Sequence, residues 1–365
     1  MIQLVFPTIG KAEIKAVTKT LLSRHLERCK VTSELETLFQ NFFYSDYAVV
    51  TSNGTAALFT GLLACGLSEG NEVITTTFSY IATVNSILLC GAKPVFVDID
   101  QDTFNIDVSK IEEKITNKTK IILVVDLYGH PAEYKSLRKI ADKYGLVLMS
   151  DSCQAIGSKY QNKSINHFAD ITVFSFFNSK SLSSGEGGVL LTNQKSIADK
   201  VNLLINHGQK RGEKYNFLEA GWNFRPTDVQ SSIMRVQLKR LDSITRKRNM
   251  NAVFLSKQLA LVEGIICPKL NHDIVHSFSR FTIKVTDKFL LSRDELKEYL
   301  YKNGIETEIA YPKALYEYPH LVEYKSGQFP ITENITKQVL SLPIHQNLTK
   351  KELNHIVTVI KKVEK

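Results

Sequence analysis

The chain is predicted to be an α/β protein: a mostly parallel, seven-stranded sheet with helices on both faces, followed by a smaller C-terminal α+β region. Three observations predict this. Seven short apolar runs occur between residues 47 and 192, helix-patterned segments separate them, and the alternation stops near residue 245. The first strand is Tyr47-Ala-Val-Val-Thr51, and Gly54–Cys65 follows as a helix opened by Gly54 and Thr55. The next strands are 72–75, 94–98 and 121–126, then a helical stretch Glu133–Lys143, then strands 146–150, 171–176 and 188–192. A long amphipathic segment, 227–258, leads into the second region. There Phe278–Val285 reads as a strand, and 292–303 and 349–364 read as helices. The expected division is a large domain over 1–245 and a small one over 246–365.

Three polar tails sit at the C-terminal ends of these strands, the rim where open α/β sheets bind ligands. Thr51 runs into Ser52-Asn-Gly-Thr55, and Leu146-Val-Leu-Met-Ser150 runs into Asp151-Ser-Cys-Gln154. The strand 171–176 delivers Lys180 to a Ser/Gly-rich turn. Desolvation at a strand end lowers a lysine pKa, and a neutral amine on a fixed element suits Schiff-base chemistry. Gly54 and Thr55 offer free amides and a helix dipole to an anion, and Gly54 allows close backbone approach. Ser175, between Phe174 and Phe176, falls on the opposite strand face from those two.

Composition narrows the classes. Apolar residues make up 43% of 365, ample for a core. No apolar run is long enough for a membrane span, and the N-terminus shows no secretory signal pattern. A cytoplasmic protein is expected. Five scattered cysteines form no disulfide framework or metal spacing and read as reduced thiols, with Cys153 a small buried filler. The net charge of +9 comes from dispersed lysines, and its densest cluster, Lys239-Arg240 with Arg246-Lys-Arg248, reads as a solvated helix face. No nucleic-acid partner is expected.

The order and spacing of many segments resemble the DegT/DnrJ/EryC1/StrS family of sugar-nucleotide aminotransferases. They include Ser52-Asn-Gly-Thr-Ala-Ala-Leu58, Thr77-Phe-Ser-Tyr-Ile-Ala-Thr83 and Gly91-Ala-Lys-Pro-Val-Phe-Val-Asp-Ile-Asp100. They continue through Leu127-Tyr-Gly-His130, Asp151-Ser-Cys-Gln154, Phe174-Ser-Phe-Phe177, Gly185-Glu-Gly-Gly188, Gly221-Trp-Asn-Phe-Arg225 and Leu340-Ser-Leu-Pro-Ile-His345. The resemblance covers most of the chain. It implies a pyridoxal 5'-phosphate (PLP)-dependent transferase of fold type I with a mixed sheet, active as a homodimer whose sites lie at the subunit interface.

On the same resemblance Lys180 carries the cofactor and shuttles the proton, Asp151 faces the pyridine nitrogen, and Gln154 lies near the ring's phenolic oxygen. Gly54, Thr55 and Ser175 hold the phosphate, Asn223 reaches the partner subunit's phosphate, and Tyr80 stacks on the ring. The implied substrates are a nucleotide-linked keto-deoxysugar and L-glutamate, which yields 2-oxoglutarate. The product is an amino sugar for lipopolysaccharide O-antigen or other glycan assembly.

The stretch Phe78–Asn85 with Ser52–Thr55 looks closest to C4-aminating members of the perosamine type, while C3-aminating relatives share much of the pattern. A sugar dehydratase and a non-catalytic regulatory homologue are the other readings. Dehydrating relatives carry histidine where this chain has Lys180. The chain departs from the family pattern at Leu26–Lys30, at Lys313-Ala-Leu315 after Tyr311-Pro312, and at Pro226 after Arg225. These departures bear on substrate identity.

Overall fold

The computed structural model describes residues 1–269 and 273–364. Seven strands form the main sheet: β1 (Tyr47–Thr51), β2 (Glu72–Thr76), β3 (Lys93–Val97), β4 (Thr119–Val125), β5 (Val147–Asp151), β6 (Ile171–Ser175) and β7 (Gly188–Thr192). Each expected strand is present, with ends shifted by at most two residues. Their order is β1-β7-β6-β5-β4-β2-β3, and β7 alone runs antiparallel to its neighbours. The sheet is therefore mixed and mostly parallel. Its inner strands are mostly apolar and largely buried because helices cover both faces: Ile121 to Val125 and all of β6 are buried.

Helix α1 (Lys11–Ser23), α2 (Lys30–Phe43) and α7 (Asp228–Leu238) pack together on one side. The carboxylate of Asp228 accepts from the amides of Cys29, Val31 and Thr32, closing the start of α2. Phe39 of α2 stacks on Phe176 and Phe43 packs at a tilt on Phe174, at centroid distances of 5.6 and 5.1 Å. Those contacts fix which way β6 faces. On the other side α3 (Gly54–Ala64) is buried almost all round, between α4 (Ala82–Leu89), α6 (Lys195–Leu204) and the sheet. α5 (Tyr134–Tyr144) buries Tyr134, Leu137, Ile140 and Ala141 as one stripe and ends at the left-handed Gly145.

The segment 227–258 is two helices, α7 and α8 (Leu241–Leu259), broken at Lys239–Arg240. No glycine or proline marks the break. Leu241 and Ile244 pack with Met234 and Leu238 against α2 and the main sheet, whereas Ala252, Leu255 and Leu259 belong to the second core. The basic cluster on this segment is not a simple solvated face. Arg248 is buried and donates to the carbonyl of Phe278 (2.8 Å), and burial holds its pKa down at about 10. Arg240 pairs with the buried Glu13. Opposed carbonyl and carboxylate acceptors draw these two cations inward.

The second core forms around a three-stranded antiparallel sheet in the order β8 (Ile265–Ile266), β9 (Phe281–Val285), β10 (Val339–Leu342). β9 begins three residues later than expected, because Phe278 has a positive φ of 47° and leaves the extended path. α9 (Arg293–Lys302) and α11 (Lys350–Lys361) start at reciprocal caps, Ser292 with Glu295 and Thr349 with Glu352. α10 (Pro330–Gln338) leads directly into β10. Ile2 also packs into this core, so the N-terminus lies on the second unit. Among the described residues no helix is long and apolar enough to cross a membrane.

Candidate active site

The C-terminal ends of β1, β5 and β6 and the start of β7 meet on one rim. Asn53 caps α3 by accepting from the amide of Ala56 (2.8 Å). The amides of Gly54 and Thr55 lie in the first helical turn, where no intrahelical acceptor exists. The turn sits directly on the neighbouring strands. A Cβ on Gly54 would lie 2.8 Å from the Ser175 Cβ, and one on Gly188 would lie 2.5 Å from the Asn53 carbonyl oxygen. Neither position has room for a side chain. The close fit places the Ser175 hydroxyl beside the free end of α3.

Asp151 closes β5 and is buried. One carboxylate oxygen accepts from the hydroxyl of Thr83 (2.7 Å), the other from the amide of Cys153 (3.2 Å). Ser79 in turn bonds Thr83 (3.0 Å), so the segment after β2 fixes the acid. Gln154 is held at both ends of its amide: its oxygen accepts from the amide of Tyr128 (3.2 Å) and its nitrogen donates to the Tyr311 hydroxyl (2.9 Å).

Lys180 follows β6 in a turn tied across its base by Phe176 N–H to Gly187 carbonyl (2.8 Å) and Ser184 N–H to Phe176 carbonyl (3.1 Å). The turn's buried Leu182 packs with Phe176. Desolvation lowers the Lys180 pKa, Cys153 and Asp151 oppose that shift, and the Arg280 cation adds to it. Cys153 lines the cleft beside these groups rather than serving only as filler, and burial raises its thiol pKa well above the ordinary value. At neutral pH it is protonated and a poor nucleophile.

These groups surround one cleft of about 650 Å³, within the size range of small-molecule sites. Gly54, Thr55, Tyr80, Asp151, Gln154, Ser175 and Lys180 all line it. Tyr80 is 58% exposed, on the cleft's open side. Asn223 does not line it. It is exposed and bridges to Asn206, while its neighbour Phe224 reaches the wall and accepts from the Ser52 amide (2.7 Å). Thr83, Arg280, Glu308 and Tyr311 join the site without having been singled out in the sequence. Thr83 lies in a family-like segment and Tyr311 in a conspicuous Tyr-Pro pair. Arg280 and Glu308 carry no local signal, since they arrive from the second core.

The donor set fits PLP. Free helix-start amides and a hydroxyl suit a phosphate, a buried carboxylate suits a protonated ring nitrogen, and an amine of lowered pKa suits an aldehyde. Fold and site together define a PLP-dependent aminotransferase. The chain belongs to the DegT/DnrJ/EryC1/StrS aminotransferase family, which matches residues 7–361. It is 36% identical over 324 residues to a GDP-perosamine synthase of Escherichia coli O157:H7, covering 87% of each chain. It is 32% identical over 317 residues to the UDP-2-acetamido-2-deoxy-3-oxo-D-glucuronate aminotransferase of Pseudomonas aeruginosa, covering 87% of this chain and 86% of the relative. The solved structure of NtdA from Bacillus subtilis with bound cofactor PMP aligns at a TM-score of 0.90 and 31% identity, covering 97% of this chain and 82% of that one.

Proposed function

We propose that the protein transfers the amino group of L-glutamate to C4 of a nucleotide-linked 4-keto-6-deoxyhexose, giving an amino sugar for O-antigen or other surface glycan assembly. The observation that carries this reading is the convergence of Lys180, Asp151 and the free start of α3 on one cleft. Its C4 part draws support from the 36% identity to a GDP-perosamine synthase. Residues from the two stretches that favour C4 also border the cleft: Asn53, Gly54 and Thr55 from one, Ser79, Tyr80 and Ala82 from the other.

When bound, PLP supplies an electron sink for charge developing at the carbon that bears the amine. The chain's own residues do the rest. The amides of Gly54 and Thr55 and the Ser175 hydroxyl hold the phosphate. Asp151, oriented by Thr83 and the Cys153 amide, keeps the ring nitrogen positive by charge pairing. Gln154 donates or accepts at the ring's oxygen, its amide set by Tyr128 and Tyr311. Tyr80, on the cleft's lining, would stack on the ring. Lys180 would be the proton carrier: in each half-reaction its free amine would move one proton between the substrate carbon and the cofactor carbon, in opposite senses for donor and sugar. Asn223, exposed outside the cleft, would in this reading serve the site of a second copy, with a homodimer as the working unit and sites at the interface.

The Pseudomonas relative is named for a 3-oxo substrate, and this keeps amination at C3 as the second reading. Product analysis separates the two. The enzyme with L-glutamate is offered matched 4-keto and 3-keto nucleotide sugars, and the product is located by NMR. The expected amine is at C4. An amine only at C3 contradicts the regiochemistry, and a deoxygenated product without nitrogen contradicts transfer itself.

A further inference from the structure

We propose that Arg280 anchors a carboxylate of the amino donor, and that Glu308 is a resident counter-ion which the donor displaces. This rests on the reading above that the donor is an amino acid such as L-glutamate. Among the described residues five charged ones line the cleft: Asp151, Lys180, Glu186, Arg280 and Glu308. Asp151 is engaged by Thr83, and Lys180 has its charge disfavoured by burial. Arg280 is thus the permanent cation on this wall. Its guanidinium pairs with Glu308.

The two partners differ in freedom. The Arg280 side chain is 17% exposed and that of Glu308 44%. Arg280 directly precedes β9, and its amide donates to the Tyr128 carbonyl (3.3 Å). The Glu308 main chain exchanges two hydrogen bonds with Ser341 of β10 (2.8 and 3.2 Å), so its backbone is anchored while its side chain faces solvent. Only the glutamate side chain has room to swing away. Arg280 also shares with Lys180 a small recess that Ser179 and Ser279 help to line, which puts it at the reacting end of the cleft.

That location favours the donor over the nucleotide. An amino acid's α-carboxylate is one bond from the carbon that reacts at Lys180, whereas a sugar nucleotide's phosphates lie a whole hexose ring away from the keto carbon. The pair also meets a problem that two successive substrates pose. One substrate brings an anion to this spot and the other brings an uncharged sugar ring. A mostly buried arginine left without an anion is strongly destabilised. Exchange of Glu308 for the donor carboxylate keeps Arg280 paired in both half-reactions, with no bond made or broken and no net change in charge at the spot.

Calorimetric titration of the PLP-loaded protein with glutarate, a dicarboxylate without an amine, tests this. Arg280→Gln is expected to weaken glutarate by about tenfold or more, the scale of a lost charge-assisted hydrogen bond. Glu308→Gln is expected to tighten it several-fold, because a competitor has been removed. A purely structural ion pair predicts equal harm from both variants, so parallel weakening overturns the proposal, as does unchanged binding in Glu308→Gln. Should Arg280→Gln fail to fold, the direction of the Glu308→Gln change still decides. Inorganic pyrophosphate is the control: binding that Arg280→Gln weakens for pyrophosphate but not for glutarate reassigns the residue to the nucleotide and overturns the proposal. Release of 2-oxoglutarate from L-glutamate by the unaltered protein is measured alongside. Its absence defeats the donor reading, whereas its presence with no divergence between variants defeats the counter-ion proposal alone.

Discussion

Lys180→Ala abolishes multiple turnover, with kcat down by at least about 10^4-fold, the upper end of what a positioned proton carrier contributes. Among the described residues it is the one lysine lining the cleft, and alanine leaves no amine there to hold the cofactor or move the proton. Steady-state kinetics read the loss. Peptide mass spectrometry after borohydride reduction reads its cause, with the cofactor attached at Lys180 in the parent and unattached in the variant. Retained multiple turnover would remove Lys180 from the mechanism.

The lowered pKa of this lysine adds a stability signature. Between its native pKa and the ordinary value of 10.5, the unfolded chain holds a proton that the folded chain has released. Stability contributed by this residue therefore rises with pH through that range, and the cost of the buried charge is full below it. Lys180→Met, compared with the parent after cofactor removal, is expected to unfold at a higher temperature at neutral pH. The gap should close as the pH approaches that of free lysine.

Asp151→Asn is the second large effect. The carboxamide keeps an oxygen for one of the two donors, Thr83 or the Cys153 amide, so the local fold survives. It carries no charge, however, and a neutral partner no longer holds the ring nitrogen protonated. The expected loss in kcat is about 10^2- to 10^3-fold, the scale for removing one group aimed at developing charge. The unfolding temperature is expected to stay near that of the parent. A variant that loses stability and activity together would make Asp151 a structural residue, while near-normal turnover would remove it from the chemistry.

The large sheet was legible because its strands are sandwiched between helices and must be apolar on both faces. Val49, Val50, Ile121 to Val125 and the whole of β6 announce themselves. The rim was legible for a related reason: Asp151 ends one such strand and Gly54 and Lys180 follow others closely, so placing the strand places the residue. The break between α7 and α8 was not legible, since its cause is tertiary. Leu238 and Leu241 stay with one core and Leu255 moves to another. The burial of Arg248 escaped the sequence because its acceptor, the Phe278 carbonyl, is 30 residues away and set by a left-handed turn. Arg280 and Glu308 were invisible as site residues for the same reason. Nothing local says that the second core folds back over Lys180.

In the proposed reaction this cleft takes an amino group from an amino acid and stores it on the cofactor. The most direct measurement is the visible absorbance of the purified, PLP-loaded protein before and after L-glutamate, with no sugar present. The band of lysine-bound cofactor is expected to disappear, the band of aminated cofactor to appear, and one equivalent of 2-oxoglutarate per site to be released. A band that persists at saturating L-glutamate, with no 2-oxoglutarate formed, would contradict it.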